Sequence, residues 1–291
     1  MHFFRVVRSA TKVMTIDEAL RTASRRLTSS SSTPRLDAEL LLAHVHEMDR
    51  AALLARNGQQ LIPDALAAFD LLVARRLSGE PIAYLTGHRE FYGLELLVTK
   101  DVLVPRPETE SVVDLCLGIL SEGEISQMAD IGTGSGAIAV AVAVNRPLVQ
   151  VYATDISARA VEVARANCIR HGVQARVKLY VGDLLEPLHG PVSLIAANLP
   201  YVSPGEASPD VATWEPREAV FGGGEDGTLL IRRFLEQAPR YLTPGGTIIM
   251  ETAYSQGKIV SDLANRALPG AYVEVHKDLA GYDRVVVIRT P

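Results

Sequence analysis

Cysteine is nearly absent: Cys116 and Cys168 are the only two in 291 residues. They lie far apart with no Cys/His cluster near either. That excludes a disulfide framework and a zinc site and leaves two reduced thiols. No metal is expected. Basic residues are not in excess either, since 29 Lys and Arg face 34 Asp and Glu for a formal net charge of −5. Such a balance argues against a surface that neutralises many phosphates. No apolar run approaches the ~20 residues that span a bilayer. The opening Met1-His2-Phe3-Phe4-Arg5-Val6-Val7-Arg8 lacks the sustained apolar stretch of a secretory signal. Residues 1–14 read as a disordered extension, with Met14 as an alternative start, and the expected location is the cytoplasm. There are no internal repeats, and the only low-complexity stretch is Ser29-Ser30-Ser31-Ser32.

What is present is an ordinary globular composition, 47% hydrophobic and 22% charged, in a chain comfortable for two domains. From 15 to about 85 the apolar positions recur at helical spacing, as in Ala38, Leu41, Leu42 and Val45, and again in Leu66, Phe69, Leu72 and Val73. Thr15-Ile16-Asp17-Glu18 fits a capping box, and Pro34 and Pro63 fit first-turn positions. This part reads as a small helical bundle, residues 15–87, with no catalytic constellation. Around Phe91-Tyr92-Gly93-Leu94-Glu95-Leu96-Leu97-Val98 the pattern turns to alternation, predicting a hairpin linker over 88–107.

After residue 108 strands and helices alternate. Strands are predicted at 128–131, 150–154, 177–181, 194–198, 247–251, 272–275 and 284–288, and helices at 137–144, 158–171, 229–241 and 255–267. Such alternation means a parallel sheet covered on both faces. The last two strands are joined by too short a loop for a helical crossover, so they must be antiparallel. The fold class is α/β. The seven-stranded, mostly parallel sheet resembles that of class I methyltransferases, with a smaller N-terminal helical bundle joined by the hairpin.

Asp130-Ile131-Gly132-Thr133-Gly134-Ser135-Gly136-Ala137 follows a strand and opens a helix. Glycine serves there because the backbone must turn tightly and approach a ligand without a Cβ in the way. The spacing also satisfies the dinucleotide fingerprint through Gly132, Gly134 and Ala137. Asp155, followed by Ile156, ends the next strand, where a carboxylate can accept from a ribose diol; a helix-start residue before Ser157 is the plainer reading. Asp183 closes the third strand and can accept from an adenine amino group, with Leu184 against the ring, or can simply serve a turn. The loop by itself leaves hydride transfer with a nicotinamide cofactor and methyl transfer from S-adenosylmethionine both open.

The fourth strand separates them. It delivers Asn198-Leu199-Pro200-Tyr201 to the carboxyl edge of the sheet, where ligands of open α/β sheets bind. The tetrapeptide resembles the (Asn/Asp)-Pro-Pro-(Tyr/Phe) motif of methyltransferases acting on nitrogens conjugated to a π-system. An amide nitrogen is a poor nucleophile, but it carries two hydrogens that two acceptors can orient. The Asn198 side-chain oxygen and the main-chain carbonyl of Leu199 would serve, with Pro200 fixing the backbone and Tyr201 packing on the flat substrate group. Leu199 departs from the usual proline; the carbonyl survives and some backbone rigidity is lost. A strand-ending turn is the competing explanation.

Further stretches resemble the bacterial release-factor glutamine methyltransferases over roughly residues 15 to 291. They are Gly79-Glu80-Pro81-Ile82-Ala83-Tyr84-Leu85-Thr86-Gly87, Glu90-Phe91-Tyr92-Gly93, Val102-Leu103-Val104-Pro105-Arg106-Pro107-Glu108-Thr109-Glu110, and Glu215-Pro216 with Ala219-Val220-Phe221-Gly222-Gly223 and Asp226-Gly227. Asp278-Leu279-Ala280-Gly281-Tyr282-Asp283-Arg284 joins them, with Tyr282 in place of the usual arginine. The resemblance implies an S-adenosylmethionine-dependent enzyme that methylates the glutamine of a Gly-Gly-Gln loop in class I release factors. It implies that 108–291 is the catalytic domain and that 15–87 docks the protein substrate. Arg106 and Glu108 become candidate site residues, or else members of a salt-bridged linker. Three rivals remain: a nucleic-acid methyltransferase acting on adenine N6 or guanine N2, a nicotinamide-dependent dehydrogenase, and a catalytically dead scaffold. The charge balance opposes the first, and the tetrapeptide opposes the other two.

Overall fold

The computed structural model describes residues 14–121 and 126–291, so the extension expected over 1–14 lies outside it except for Met14. Met14 is part of the fold, its carbonyl accepting from the Leu61 N–H at 2.8 Å. The chain divides into two compact units between Thr86 and Gly87. No helix among the described residues is long and apolar enough to cross a membrane.

The first unit is a bundle of α1 (Ile16–Leu27), α2 (Pro34–Val45), α3 (Arg50–Leu54), α4 (Pro63–Leu77) and α5 (Ile82–Thr86). Its starts are those the sequence encodes. Thr15 Oγ1 accepts from the Glu18 N–H at 3.3 Å while Glu18 Oε2 accepts from the Thr15 N–H at 2.9 Å, a complete capping box. Pro34 and Pro63 occupy first-turn positions, where a missing N–H is not needed. Leu20, Leu27, Leu41, Leu42, Phe69 and Val73 close the interior. At its polar side Arg76 pairs with the buried Asp37 at 2.8 Å.

The second unit begins with the hairpin β1 (His88–Phe91) and β2 (Leu94–Leu97), followed by α6 (Glu110–Ile119). Then come β3 (Ser126–Ile131), α7 (Ala137–Asn145), β4 (Val149–Asp155), α8 (Ala158–Arg170), β5 (Val177–Val181) and β6 (Val192–Ala197). Short α9 (Pro209–Trp214) and α10 (Arg217–Val220) precede α11 (Leu229–Gln237), β7 (Leu242–Glu251), α12 (Gly257–Ala267), β8 (Tyr272–Lys277) and β9 (Asp283–Arg289). The hairpin is bonded to α8: the Leu97 N–H donates to Asn167 Oδ1 at 2.7 Å and Asn167 Nδ2 donates to the Leu97 carbonyl at 3.0 Å.

Seven strands form one sheet in the order β5-β4-β3-β6-β7-β9-β8, parallel from β5 to β7, with β9 antiparallel to both of its neighbours. Alternate residues serve opposite faces. Met128, Leu194 and Ile249 pack with α6 and α7, whereas Ala129, Ile195 and Ile248 pack with α11 and α12. Burial on both sides explains why these strands read as continuous apolar runs. The chain order reverses between β3 and β6, and that switch point leaves a crevice at the carboxyl edge.

Several boundaries differ from expectation for physical reasons. α6, α9 and α10 were not foreseen. The helix expected over 229–241 stops at Gln237 because Pro239 cannot continue it, and a 3-10 turn follows. β7 starts five residues earlier than expected, and its pairing with β6 shifts between Val192 and Leu194. β6 ends at Ala197, one residue short of expectation, which releases Asn198 from the sheet.

Candidate active site

Ile131 and Ala197 are paired in register, so the loops after β3 and β6 leave the sheet side by side. In the first loop Gly132, Gly134 and Gly136 all have positive φ, at 71°, 56° and 81°. A Cβ on Gly132 would lie 3.1 Å from Leu199 Cδ2, and one on Gly136 would lie 3.2 Å from the Ala164 Cβ. Positive φ therefore favours glycine at all three, and crowding adds to it at Gly132 and Gly136. The loop is tied down from beneath, where Asp130 Oδ2 accepts from Thr133 Oγ1 at 2.6 Å and from the Ala139 N–H at 3.1 Å. Burial, with Asp155 nearby, pushes the Asp130 carboxyl up to about 6 against these two hydrogen bonds.

Asp155 holds the loop from the side. Its Oδ2 accepts from the Gly134 N–H and its Oδ1 from the Ser157 N–H, both at 2.9 Å. Each oxygen keeps acceptor capacity to spare, since a carboxylate offers about four acceptor sites, and Asp155 lines the crevice. Burial raises its carboxyl above the usual range. Asp183 is ion-paired with Arg233. Leu184 takes a positive φ of 50°, and its carbonyl accepts from Thr154 Oγ1 at 2.8 Å.

The loops border a cavity of about 310 Å³, lined among others by Gly132, Thr133, Gly134 and Ser135, by Asp155 with Ile156, by Asp183 with Leu184, and by Asn198, Leu199 and Pro200. That volume is at the lower end for a small-molecule site. A second cavity of about 230 Å³ shares Asn198, Leu199 and Pro200 and adds Tyr201. Arg106 lines both, ion-paired with the buried Glu215, whose other oxygen accepts from the Val104 N–H at 3.3 Å. Of the residues singled out from sequence, Asp130 and Gly136 lie beneath the surface of the cavities as supports. Glu108 is exposed and lines neither.

Sequence reasoning missed what stands behind the tetrapeptide. Asn198 Nδ2 donates to Thr109 Oγ1 and to Glu251 Oε2, each at 3.0 Å, and Thr109 Oγ1 donates to the same Oε2 at 2.6 Å. Tyr201 Oη donates to Glu251 Oε1 at 2.9 Å. Glu251 is 1% exposed, and burial raises its carboxyl above the usual range, opposed by the Thr109 and Tyr201 hydrogen bonds and the Arg284 charge. The Tyr201 phenol is pushed up by burial and by Glu251.

The backbone is clamped as well. Gln256 Nε2 donates to the Tyr201 carbonyl and to the Asp226 carbonyl, both at 2.9 Å. A Cβ on Gly222 would meet the Pro200 carbonyl oxygen at 2.5 Å and overlap that of Gly227, and one on Gly227 would overlap the Tyr201 carbonyl oxygen. Among the described residues no protein group donates to Asn198 Oδ1 or to the Leu199 carbonyl. Two acceptors thus remain without a protein donor on residues that line both cavities. The available signal for Glu251 was an acid ending the apolar run Ile248-Ile249-Met250 at the ligand-binding edge of a central strand.

Residues 18–87 match the family model described as PrmC N-terminal domain, and residues 110–216 match that described as methyltransferase small domain. The chain is 45% identical over 279 residues to the release factor glutamine methyltransferase of Moorella thermoacetica, covering 93% of this chain and 97% of the relative. Proteins of the same name from Coxiella burnetii and Bacillus subtilis are 39% and 40% identical. Those matches cover 95% and 94% of this chain and 99% and 96% of the relatives. A solved methyltransferase from Pyrococcus furiosus, 21% identical, shares the fold at a TM-score of 0.52 over 74% of this chain and 96% of that one. With identity sustained from the helical unit through the last strand, this chain belongs to the release factor glutamine methyltransferase family.

Proposed function

We propose that this chain transfers a methyl group from S-adenosylmethionine to the side-chain amide nitrogen (N5) of the glutamine in a Gly-Gly-Gln segment of a class I release factor, in the cytoplasm. The observation that carries the reading is the pair of open acceptors, Asn198 Oδ1 and the Leu199 carbonyl, beside the glycine loop.

The residues bordering the larger cavity fit the cofactor. Loop glycines in left-handed conformations present backbone without side chains, Asp155 offers lone pairs to a ribose diol, and Asp183 with Leu184 suits an adenine edge and face. When bound, S-adenosylmethionine would supply an electrophilic methyl, the N–C bond forming as the S–C bond breaks and the surplus proton on nitrogen leaving to water. The protein's part is orientation. Asn198 Oδ1 and the Leu199 carbonyl each accept one amide hydrogen, which favours pyramidal nitrogen and turns its lone pair toward the methyl. As positive charge grows on nitrogen it meets preorganised acceptors, the counterpart of an oxyanion hole. Pro200 and the clamp on the Tyr201 carbonyl keep those acceptors in place, so that alignment is supplied before the reaction.

The test is incubation with labelled S-adenosylmethionine, a release factor and nucleic acid together. Label is expected on the release-factor glutamine, and label on nucleic acid alone would overturn the reading. Residues 15–87 are proposed to dock the protein substrate. The isolated Gly-Gly-Gln peptide should then show a kcat/KM far below that of the whole factor, because remote binding energy is lost. Equal values would remove the docking role.

A further inference from the structure

An asparagine side chain has two nearly isosteric orientations, and only one serves the function proposed above, on which this inference rests. With Oδ1 toward the crevice, Asn198 accepts from the substrate amide. Turned over, it would present its own NH2 to the substrate NH2, donor against donor. The fold must therefore contain something that decides between the two orientations.

The register provides it. Ala197 pairs with Met250, so Asn198 leaves the sheet alongside Glu251 on the neighbouring strand. An ionised carboxylate has only lone pairs to offer. Thr109 could donate or accept, but its hydrogen is committed to Glu251 Oε2 at 2.6 Å, so toward Asn198 it too presents only lone pairs. Both groups behind Asn198 are acceptors, which forces Nδ2 inward and Oδ1 outward. The other carboxylate oxygen takes the Tyr201 hydroxyl at 2.9 Å and so holds the ring at the end of the same tetrapeptide.

Glu251 touches neither cavity, and a buried carboxylate is costly unless it is satisfied. Here three donors satisfy it, from Thr109, Asn198 and Tyr201. We infer that Glu251 is a positioning residue, whose buried acceptor oxygens set the orientation of Asn198, directly and through Thr109, and anchor Tyr201.

Three measurements test this on the full chain with a release factor as substrate. Glu251→Leu removes the charge at similar volume. The change also leaves the Thr109, Asn198 and Tyr201 donors without their acceptor, so the melting temperature should fall, while loss of alignment costs about 10²-fold in rate. The expected result is a kcat lower by roughly tenfold to a hundredfold in the folded protein, with S-adenosylmethionine affinity little changed. In an Asn198→Ala background the same change should cost far less, only what the lost Tyr201 anchor contributes, since there is no amide left to orient. A kcat near the wild-type value, or losses that multiply in full in the double variant, would overturn the inference. If wild-type protein methylates the factor, either result leaves the proposed function standing; if it does not, that reading itself has failed.

Should Glu251→Leu not fold, Glu251→Gln decides. Its carbonyl oxygen can still accept from Asn198 and Thr109 while its NH2 donates to Tyr201, so activity should largely survive. A loss of tenfold or more in Glu251→Gln would contradict the assignment.

Discussion

The glycine loop after β3 and the tetrapeptide after β6 leave adjacent strands at one edge of the sheet, yet they are built in opposite ways. The first works by having no side chains: three positive-φ glycines expose backbone, and Asp130 and Asp155, at most 21 residues apart from what they hold, pin it locally. The second works by borrowing. Asn198 is oriented by Thr109, 89 residues away, and by Glu251, 53 away, and the Tyr201 carbonyl is held by Gln256, 55 away. A site that must merely admit a cofactor can be a short sequence motif. One that must aim a poor nucleophile needs side chains fixed from several directions.

Substitutions on the two sides should separate this division of labour. The largest effect is expected from Asn198→Ala, which removes one preorganised acceptor and should lower kcat by roughly 10²–10³-fold while cofactor affinity holds. Asn198→Asp keeps an acceptor but sets a second carboxylate against Glu251, so partial activity is expected. Single-turnover transfer and a separate calorimetric titration give the two quantities. If Asn198→Ala weakens the cofactor as much as it slows transfer, the contrast between the loops breaks down.

Next comes Gly222→Ala, outside both motifs in sequence but against the Pro200 carbonyl in space. With backbone in the way of its Cβ, the loop must shift, and kcat should fall by about 10²-fold, the scale of a misplacement near 1 Å. Wild-type turnover in this variant would show that the clamp is not needed.

On the cofactor side, Asp155→Ala should weaken S-adenosylmethionine by one to two decades, since charged hydrogen bonds contribute roughly 1.5–3 kcal/mol. Its kcat at saturation should move much less. Unchanged affinity by calorimetry would take Asp155 out of the ribose site. Smallest of all is Leu199→Pro. The acceptor is main chain, so kcat should change by less than about threefold. The Leu199 side chain is buried against Gly132, however, and its loss should lower the melting temperature by a few degrees, on the order of 4–8 °C per kcal/mol for a small domain and less for a larger one. A hundredfold loss of rate would mean that the leucine itself, and not its carbonyl, matters.

The sequence alone determined what depends on near neighbours along the chain. Helix starts at Thr15, Pro34 and Pro63, the strand–helix alternation, the antiparallel final pair and the glycine loop all follow from dihedral preference, capping and periodicity over a few residues. The tetrapeptide was visible for the same reason, four residues whose types suit an amide. Only the tertiary structure decided which way Asn198 faces, because that depends on which donors and acceptors pairing of β6 with β7 brings behind it. It also decided that Asp130 and Gly136 support the site from beneath and that Glu108 stays outside. Strand register turned Glu251 from the end of an apolar strand into the fixed acceptor of the site. Hydrogen-bond direction is a property of the whole shell around a group, and a linear sequence carries no record of that shell until the strands are in register.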